Sequence, residues 1–491
     1  MTFDEVVKGL RAANYELQTE GRLVRAGLKT ESESAAIVER WARFFSDEAL
    51  QAAEGPGEPR KRVRHAIQQG MIDRRTAVQN DRLETRYSTA TVTVEGDQIP
   101  FYGALASLAR LPQASRREAV GLAVAELEDS LEADLASLTA TTLEVIRGFG
   151  FDSYIAFWSD QKEVDYAALR AEVNAVATSA RDLYQSWMEP QLQAFGCEFG
   201  NCPQWHLSYL RALPQHDAAF TPPGFEPAMR RTADRLELPL FSSESIHIDL
   251  ADRPSKNPRA SVWVPDAGIE VHLLTRPTGG SSDYAAFLHE AGHALHFGLS
   301  DPTIGWPLCN LGRSMAYPEL WSYLFERIGH DPAWIADATG ASAPQAELIC
   351  ADLTGADLML FSRYVGKLNY ELDLYAGDPL DPARGRSLYQ GRLSSWTGFD
   401  YDPRPWQFDR DPGFYSADYL RAWLAEASVE AGLRSLFGEH WWSNRDAGEW
   451  LRQKWREGWI PEAEDVVASV GGTPWSGAEL LRNFEARLAR R

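Results

Sequence analysis

The sequence is poor in cysteine, in basic residues and in long apolar runs, and each shortage excludes a class of protein. Only four cysteines occur in 491 residues, so this is not a disulfide-built secreted scaffold. Its 49 lysines and arginines are outnumbered by 70 aspartates and glutamates, which gives a formal net charge of -21. Such a chain lacks the clustered cations that nucleic-acid phosphates require. No run of about 18 apolar residues occurs, so we expect no membrane span.

The first residues also lack the marks of a secretory signal. The segment 1–5 has neither a basic n-region nor an apolar h-region. Together with the few cysteines, this predicts a cytoplasmic protein. One basic run, Arg60-Lys61-Arg62 with Arg64, adjoins glycines and prolines at 55–59, and we predict a solvated loop there.

Two cysteines lie close to a histidine in the sequence. Cys197 and Cys202 are five residues apart, and His206 follows four residues later. This spacing matches no common structural zinc pattern. We therefore predict reduced, partly buried thiols, with a second metal site as the weaker alternative.

Apolar periodicity predicts a mainly helical chain with a small sheet. Helical spacing recurs from residue 3 to about 190, with long helical stretches over roughly 116–148 and 166–187. Three short β-like runs follow at 245–248, 260–264 and 268–274, which predict a small sheet over about 245–275. Helical patterning returns at about 282 and continues, with loops, to the end of the chain.

The most informative stretch is His289-Glu290-Ala291-Gly292-His293-Ala294-Leu295-His296. On a helix, His289 and His293 lie about one turn apart on the same face, so both can hold one ion. Zinc suits two imidazoles plus a carboxylate and leaves a fourth position for water. Glu290 is offset by one residue, where it can accept a proton as that water attacks a carbonyl carbon.

The surrounding sequence favours a metal site. Capping residues at 281–283 predict a helix over about 283–297. Glu319 follows His293 after 25 intervening residues, at the start of a second predicted helix over about 318–328. It is the candidate third ligand. The alternative, buried structural histidines and a solvated glutamate, must explain all four residues together.

These motifs resemble the thimet oligopeptidase / oligopeptidase F family of zinc metallopeptidases. The family core His-Glu-x-Gly-His-x-x-His matches 289–296, and the downstream element Glu-x-x-Ser-x-x-x-Glu matches 319–326. The match implies that Glu319 is the third zinc ligand and that Glu326 lies behind the ligands, with an ordinary surface glutamate as the alternative for Glu326. Looser similarity extends over most of the chain from about 200 onward.

The resemblance implies a mainly α, two-lobed fold with a deep central channel and a small sheet beside the zinc helix. We expect an N-terminal helical lobe over 1–190 and a catalytic region over 191–491. The family implies one zinc ion per chain and short peptides as substrates, without nucleic acid or membrane, in a monomer or homodimer.

The resemblance also implies substrate contacts around the zinc helix. It places the loop with Gly279 and Gly280, and the strand with His272, beside the substrate. The strand at 270–273 is a candidate sheet edge that pairs with the peptide backbone. The alternative is a strand that buries Val271 and Leu273.

One region departs from the family pattern. Many thimet-type members carry a histidine in a late Gly-Tyr-rich loop that stabilises the oxyanion, but 408–413 contains none. The hydroxyls of Tyr415 and Tyr419 are the remaining candidate donors, with aromatic packing as the alternative.

Three functions stay open from the sequence. The leading prediction is zinc-dependent hydrolysis of internal bonds in short peptides. The others are a catalytically silent peptide-binding or scaffold protein that retains the metal, and a zinc carboxypeptidase. Glu290 favours hydrolysis, because a purely structural site has no use for a base beside an open position.

Overall fold

Helices dominate the computed structural model, which describes residues 1–253, 255–257 and 259–489. They contain 69% of the residues, which confirms the predicted fold class. The first helices are α1 Phe3–Arg25, α2 Ser34–Arg40, α3 Asp47–Ala52, α4 Glu58–Thr89, α5 Phe101–Ser107, α6 Ala114–Ser130, α7 Glu132–Gly148, α8 Tyr154–Lys162, α9 Tyr166–Ser179, α10 Arg181–Gln193 and α11 Leu207–Ala212. The later ones are α12 Pro222–Arg235, α13 Ser281–Gly298, α14 Trp306–Asn310, α15 Ala316–Ile328, α16 Pro332–Thr339, α17 Ala343–Tyr375, α18 Pro382–Thr397, α19 Tyr415–Phe437, α20 Arg445–Trp455, α21 Ala463–Ser469 and α22 Ala478–Leu488.

The strands are few and short. They are β1 Thr91–Val94, β2 Asp97–Pro100, β3 Cys202–Pro203, β4 Ile246–Asp249, β5 Ser261–Asp266, β6 Glu270–Leu274 and β7 Phe399–Asp400. Strands β1 and β2 form an antiparallel hairpin, and β3 pairs with β7 in parallel. Within the described residues, no helix is both long and apolar enough to span a bilayer.

Contacts group the chain into two compact units, each assembled from segments that are distant in sequence. Unit 1 comprises Met1–Arg74, His216–Ala346 and Arg421–Glu479, and unit 2 comprises Arg75–Gln215, Glu347–Leu420 and Leu480–Arg491. The predicted boundary between lobes near residue 190 stays a prediction.

The three-stranded sheet of unit 1 has the order β4-β6-β5. Strand β6 is parallel to β4 and antiparallel to β5, so both of its edges are occupied. The prediction that 270–273 is a free edge is therefore wrong. Val271 and Leu273 are fully buried, as the alternative required, because a central strand packs its apolar side chains into the core.

Three features of the region before residue 190 differ from the prediction. The stretch 116–148 is two helices, because α6 ends and α7 begins at Leu131. The stretch 166–187 is likewise divided at Ala180. The hairpin of β1 and β2 was not predicted, although Thr91-Val92-Thr93-Val94 alternates and Glu95-Gly96 makes its turn.

The basic run at 60–64 is not a solvated loop. It lies in α4, and Arg62 is only 1% exposed. Its guanidinium donates to the carbonyls of Leu311, Trp459 and Ile460 and pairs with Glu58. Three backbone carbonyls from distant parts of the sequence thus stabilise this buried cation, and the sequence alone does not predict them.

Candidate metal centre

Helices α13 and α15 pack closely in unit 1 and carry the motif residues. The close approach of the two helices depends on Gly292. A Cβ added there would lie 2.3 Å from the Trp321 carbonyl oxygen and 2.6 Å from the Ser322 Cα. The glycine of the motif is therefore a packing requirement. It brings the histidine face of α13 against the first turns of α15, where Glu319 is buried.

Three candidate ligand atoms converge between these helices. Glu319 Oε2 lies 3.4 Å from His289 Nε2 and 3.7 Å from His293 Nε2. The candidate ligand atoms of the three residues all lie within 4.8 Å of one another. Zinc bonds to nitrogen and oxygen of about 2.0–2.2 Å in tetrahedral geometry separate neighbouring ligands by about 3.3–3.6 Å. The donor set and its spacing thus fit a zinc ion.

Outer contacts fix the candidate ligands. Glu326 Oε2 lies 2.9 Å from His289 Nδ1 and accepts a hydrogen bond from it, which leaves Nε2 of that ring to face Glu319. The Ser322 hydroxyl lies 3.1 Å from Glu319 Oε2. The ring of Tyr323 meets His289 edge to face at 5.1 Å. These contacts restrict the rotation of both side chains.

The electrostatics of the cluster favour a cation. Although burial alone would lower it, hydrogen bonds and charges from Glu319 and Glu326 raise the pKa of His289 well above its usual value. Burial lowers the pKa of His293 to about 4, so that ring is neutral and offers a lone pair. A metal ion held there would replace the proton of His289 and would balance the charges of Glu319 and Glu326.

Glu290 lies beside the cluster and outside it. Burial raises its pKa to about 7, with a further rise from Glu319. Three neighbours oppose this shift: the charge of His289, the backbone N–H of Val262 in β5 and the charge of Arg25 at the end of α1. The carboxylate thus lies between α13, the outer strand β5 and the first helix α1.

The third histidine of the motif has a structural role. His296 is completely buried, and its Nε2 lies 3.1 Å from the Gly458 carbonyl oxygen. Burial lowers the pKa of His296 to about 3, so the ring stays neutral and donates this hydrogen bond. Its role is to join α13 to the segment that follows α20.

The predicted substrate-contact residues lie outside the cluster. Gly279 and Gly280 adopt φ of 94° and 93° in the loop before α13, and a Cβ on Gly280 would lie 2.8 Å from Asp217 Oδ1. His272 Nε2 lies 2.8 Å from Glu270 Oε1. Local packing therefore accounts for these residues, and their contact with substrate stays a prediction.

Tyr415 and Tyr419 begin α19 and belong to unit 2. Their rings meet edge to face at 4.7 Å, and Tyr419 stacks on Tyr364 at 4.9 Å. Aromatic packing was the alternative to an oxyanion role for both tyrosines, and these ring contacts agree with it. The role of either hydroxyl as an oxyanion donor stays a prediction.

A second group of metal-binding residue types occurs in unit 2. Candidate ligand atoms of Cys197, Cys202 and His206 lie within 4.8 Å of one another. However, Arg117 Nε donates to His206 Nδ1 at 3.0 Å, and Glu118 Oε1 lies 3.3 Å from its Nε2. The lone pair of Nδ1 therefore already accepts a hydrogen bond from a cation. Both thiols are free, and Cys202 is buried, as predicted.

Comparison with known proteins gives a likeness of fold. No family model matches the chain, and no curated protein matches it by sequence. Among solved structures, it is similar to one described as a "putative oligoendopeptidase F" from Bacillus anthracis str. Ames, with 13% sequence identity and a TM-score of 0.62. The match covers 92% of this chain and 80% of that one. At this identity the comparison shows that the chain shares the oligoendopeptidase F fold.

Proposed function

We propose that this chain is a zinc-dependent peptidase that cleaves internal bonds of short peptides. The observation that carries the proposal is the convergence of His289 Nε2, His293 Nε2 and Glu319 Oε2, with Glu290 beside them. The shared fold supports it, because the similar structure is described as a "putative oligoendopeptidase F". Short peptides as substrates, a central channel, a cytoplasmic location and a monomeric or dimeric state stay predictions.

Each residue has a distinct task in this proposal. His289, His293 and Glu319 would hold the zinc, and Glu326 would orient His289 through its hydrogen bond to Nδ1. Zinc in such a site supplies a Lewis acid and makes water nucleophilic near neutral pH. Glu290 would accept the proton of the attacking water and transfer it to the leaving amine.

The test compares wild type with Glu290→Gln. Gln keeps the size of the side chain and cannot accept the proton. We expect one equivalent of zinc in both proteins by elemental analysis, and cleavage of a fluorogenic peptide panel by wild type alone. If zinc-loaded wild type cleaves none of the panel, the peptidase proposal fails. Retained turnover in Glu290→Gln would remove Glu290 from the role of base.

Endopeptidase and carboxypeptidase action are separated by the products. A peptide blocked at both termini is cut by an endopeptidase and resists a carboxypeptidase, which needs a free terminal carboxylate. We expect wild type to cut the blocked peptide internally, as mass spectrometry of the fragments would show. If only peptides with a free C-terminus are cut, the carboxypeptidase alternative replaces the proposal.

The oxyanion donor is tested with Tyr415→Phe and Tyr419→Phe, which remove a hydroxyl and keep the ring. Loss of one oxyanion donor lowers kcat by about 100- to 1000-fold. We expect this loss for one of the two variants at unchanged zinc content. Changes below threefold in both would show that these tyrosines only pack.

A further inference from the structure

Helix α1 lies along β5 and holds it with polar side chains. Arg11 Nε donates to Asp266 Oδ2 at 3.0 Å, and Asn14 Nδ2 donates to the Val264 carbonyl oxygen at 3.2 Å. One turn later, Gln18 Oε1 accepts from the Val264 N–H at 3.1 Å. Since β5 is an outer strand of the sheet, α1 caps the backbone groups of its free edge.

The same face of α1 continues toward the candidate base. Gly21 lies against the Trp263 ring, where a Cβ would be 2.2 Å from Cζ3. Arg25, the last residue of α1, is one turn further on, and its carbonyl oxygen accepts from the Asn257 N–H at 3.0 Å. Continued in this direction, α1 runs along β5 toward Val262. The N–H of Val262 and the charge of Arg25 both lower the pKa of Glu290.

The cations at this end of α1, Arg22 and Arg25, lie near carboxylates but form no close pair with any of them among the described residues. The Nε atoms of Arg22 and Arg25 are buried and have no hydrogen-bond partner, and neither residue forms an ion pair within the described part of the chain. By contrast, Arg11 on the same helix pairs with Asp266. In a chain with 70 acidic and 49 basic residues, two unpaired and partly buried guanidinium groups are unexpected.

The surroundings of the two arginines concentrate positive charge. Burial and the neighbouring charge of Arg259 lower the pKa of Arg25, and the charge of Glu290 acts to raise it. Arg22 lies within the electrostatic reach of Glu270 and His272 in the central strand. A guanidinium presents five N–H donors in a planar fork that matches a carboxylate.

We propose that Arg25, assisted by Arg22, binds a carboxylate of the peptide substrate beside Glu290. The ligand is either an acidic side chain or the free C-terminus, since both present the same group. Charge-assisted hydrogen bonds from the two guanidinium groups would hold that carboxylate and fix the register of the peptide against the base. The choice of a peptide as the ligand rests on the proposed function.

The competing role for Arg25 is to modulate Glu290 alone. In that role its loss would change turnover of every peptide by the same factor, whatever their charge. A subsite for carboxylates instead produces a difference between matched charged and neutral peptides. That difference is also visible in binding, without turnover.

Binding is therefore measured on zinc-loaded Glu290→Gln, by fluorescence anisotropy with a labelled octapeptide. One glutamate is moved through the positions of the peptide, each version has a glutamine counterpart, and each is made with a free and an amidated C-terminus. The comparison adds Arg25→Gln, Arg25→Lys and the control Lys8→Gln, which removes an exposed cation from the same helix. Wild-type kcat/KM on the same peptides is the second readout.

We expect one glutamate position, or the free C-terminus, to tighten binding by about tenfold or more over its neutral counterpart. Arg25→Gln should abolish this preference, Arg25→Lys should keep part of it, and Lys8→Gln should leave it unchanged. The position that matters identifies the source of the carboxylate.

If no carboxylate improves binding, if none of the peptides binds, or if Arg25→Gln weakens charged and neutral peptides equally, the subsite is refuted. If the preference is found but wild type cleaves nothing, the peptidase proposal fails and the carboxylate subsite stands.

Discussion

Glu326 holds His289 from behind, with Oε2 accepting a hydrogen bond from Nδ1 at 2.9 Å. The other ring nitrogen, Nε2, faces Glu319 Oε2 at 3.4 Å. The carboxylate therefore decides which nitrogen carries the proton and which one offers its lone pair. This relationship between two residues that are 37 positions apart orients the imidazole of a candidate metal ligand before any ion binds.

Removal of this hydrogen bond should weaken metal binding. We expect Glu326→Gln to lower zinc affinity by about tenfold and Glu326→Ala by about 100-fold, because the ring loses its fixed tautomer and part of its basicity. Competition with a chromogenic chelator measures the affinity. Glu31→Gln, an exposed change on unit 1, should have no effect. Unchanged affinity in Glu326→Ala would show that Glu326 is an ordinary surface residue.

Gly292→Ala tests the close packing of α13 on α15. The added methyl group would meet the Trp321 carbonyl oxygen at 2.3 Å, so the helices must separate. We expect a loss of about 1–3 kcal/mol in stability and a lower zinc affinity, because Glu319 moves away from the histidines. Urea denaturation and chelator competition provide the two measurements.

The matched control is Gly391→Ala, in the interior of α18. A Cβ there meets nothing within 4 Å, so the exchange should stabilise the helix by about 0.5–1 kcal/mol. If Gly292→Ala behaves like this control, the packing argument is wrong.

The site and the helical class could be predicted from the sequence because both have local signatures. The spacing of His289 and His293 places them on one face of a helix, and Glu319 stands at the start of the next predicted helix. The resemblance then added Glu326. Arg25 has no such signature, because its significance depends on α1 lying along β5, which is formed more than 230 residues later. The central position of β6 is equally non-local, since strand order is set by pairing and not by the strand's own residues.

The contribution of Arg62 to stability also depends on contacts that are distant in the sequence. The run at 60–64 suggests a solvated surface, yet the carbonyls of Leu311 and Ile460 accept from Arg62 at 2.9 and 3.2 Å. We expect Arg62→Lys to cost about 3 kcal/mol, because a single ammonium cannot reach every carbonyl that the guanidinium fork serves. Thermal denaturation measures the change. The same exchange at Arg64, which is partly exposed in the same helix, should cost less than about 0.5 kcal/mol. Similar losses in both variants would refute the special role of Arg62.

Glu128 should make stability fall as the pH rises. It is 5% exposed and lines a cavity of about 220 Å³ in unit 2. Burial, with added repulsion from Asp409 and Asp402, raises the pKa of Glu128 to about 8, from 4.5 in the unfolded chain. Between these values the folded chain binds the extra proton, so the free energy of unfolding decreases by about 1.4 kcal/mol per pH unit, and below 4.5 the residue contributes no slope.

Glu128→Gln should remove this contribution, because glutamine resembles the protonated acid and does not ionise. Urea midpoints at pH 5, 6, 7 and 8 should show a variant close to wild type at pH 5 and more stable than wild type at pH 8. Glu126→Gln, exposed on the same helix, should follow the wild-type profile. Parallel profiles for wild type and Glu128→Gln would mean that Glu128 is ionised in the folded protein, with its charge compensated inside unit 2.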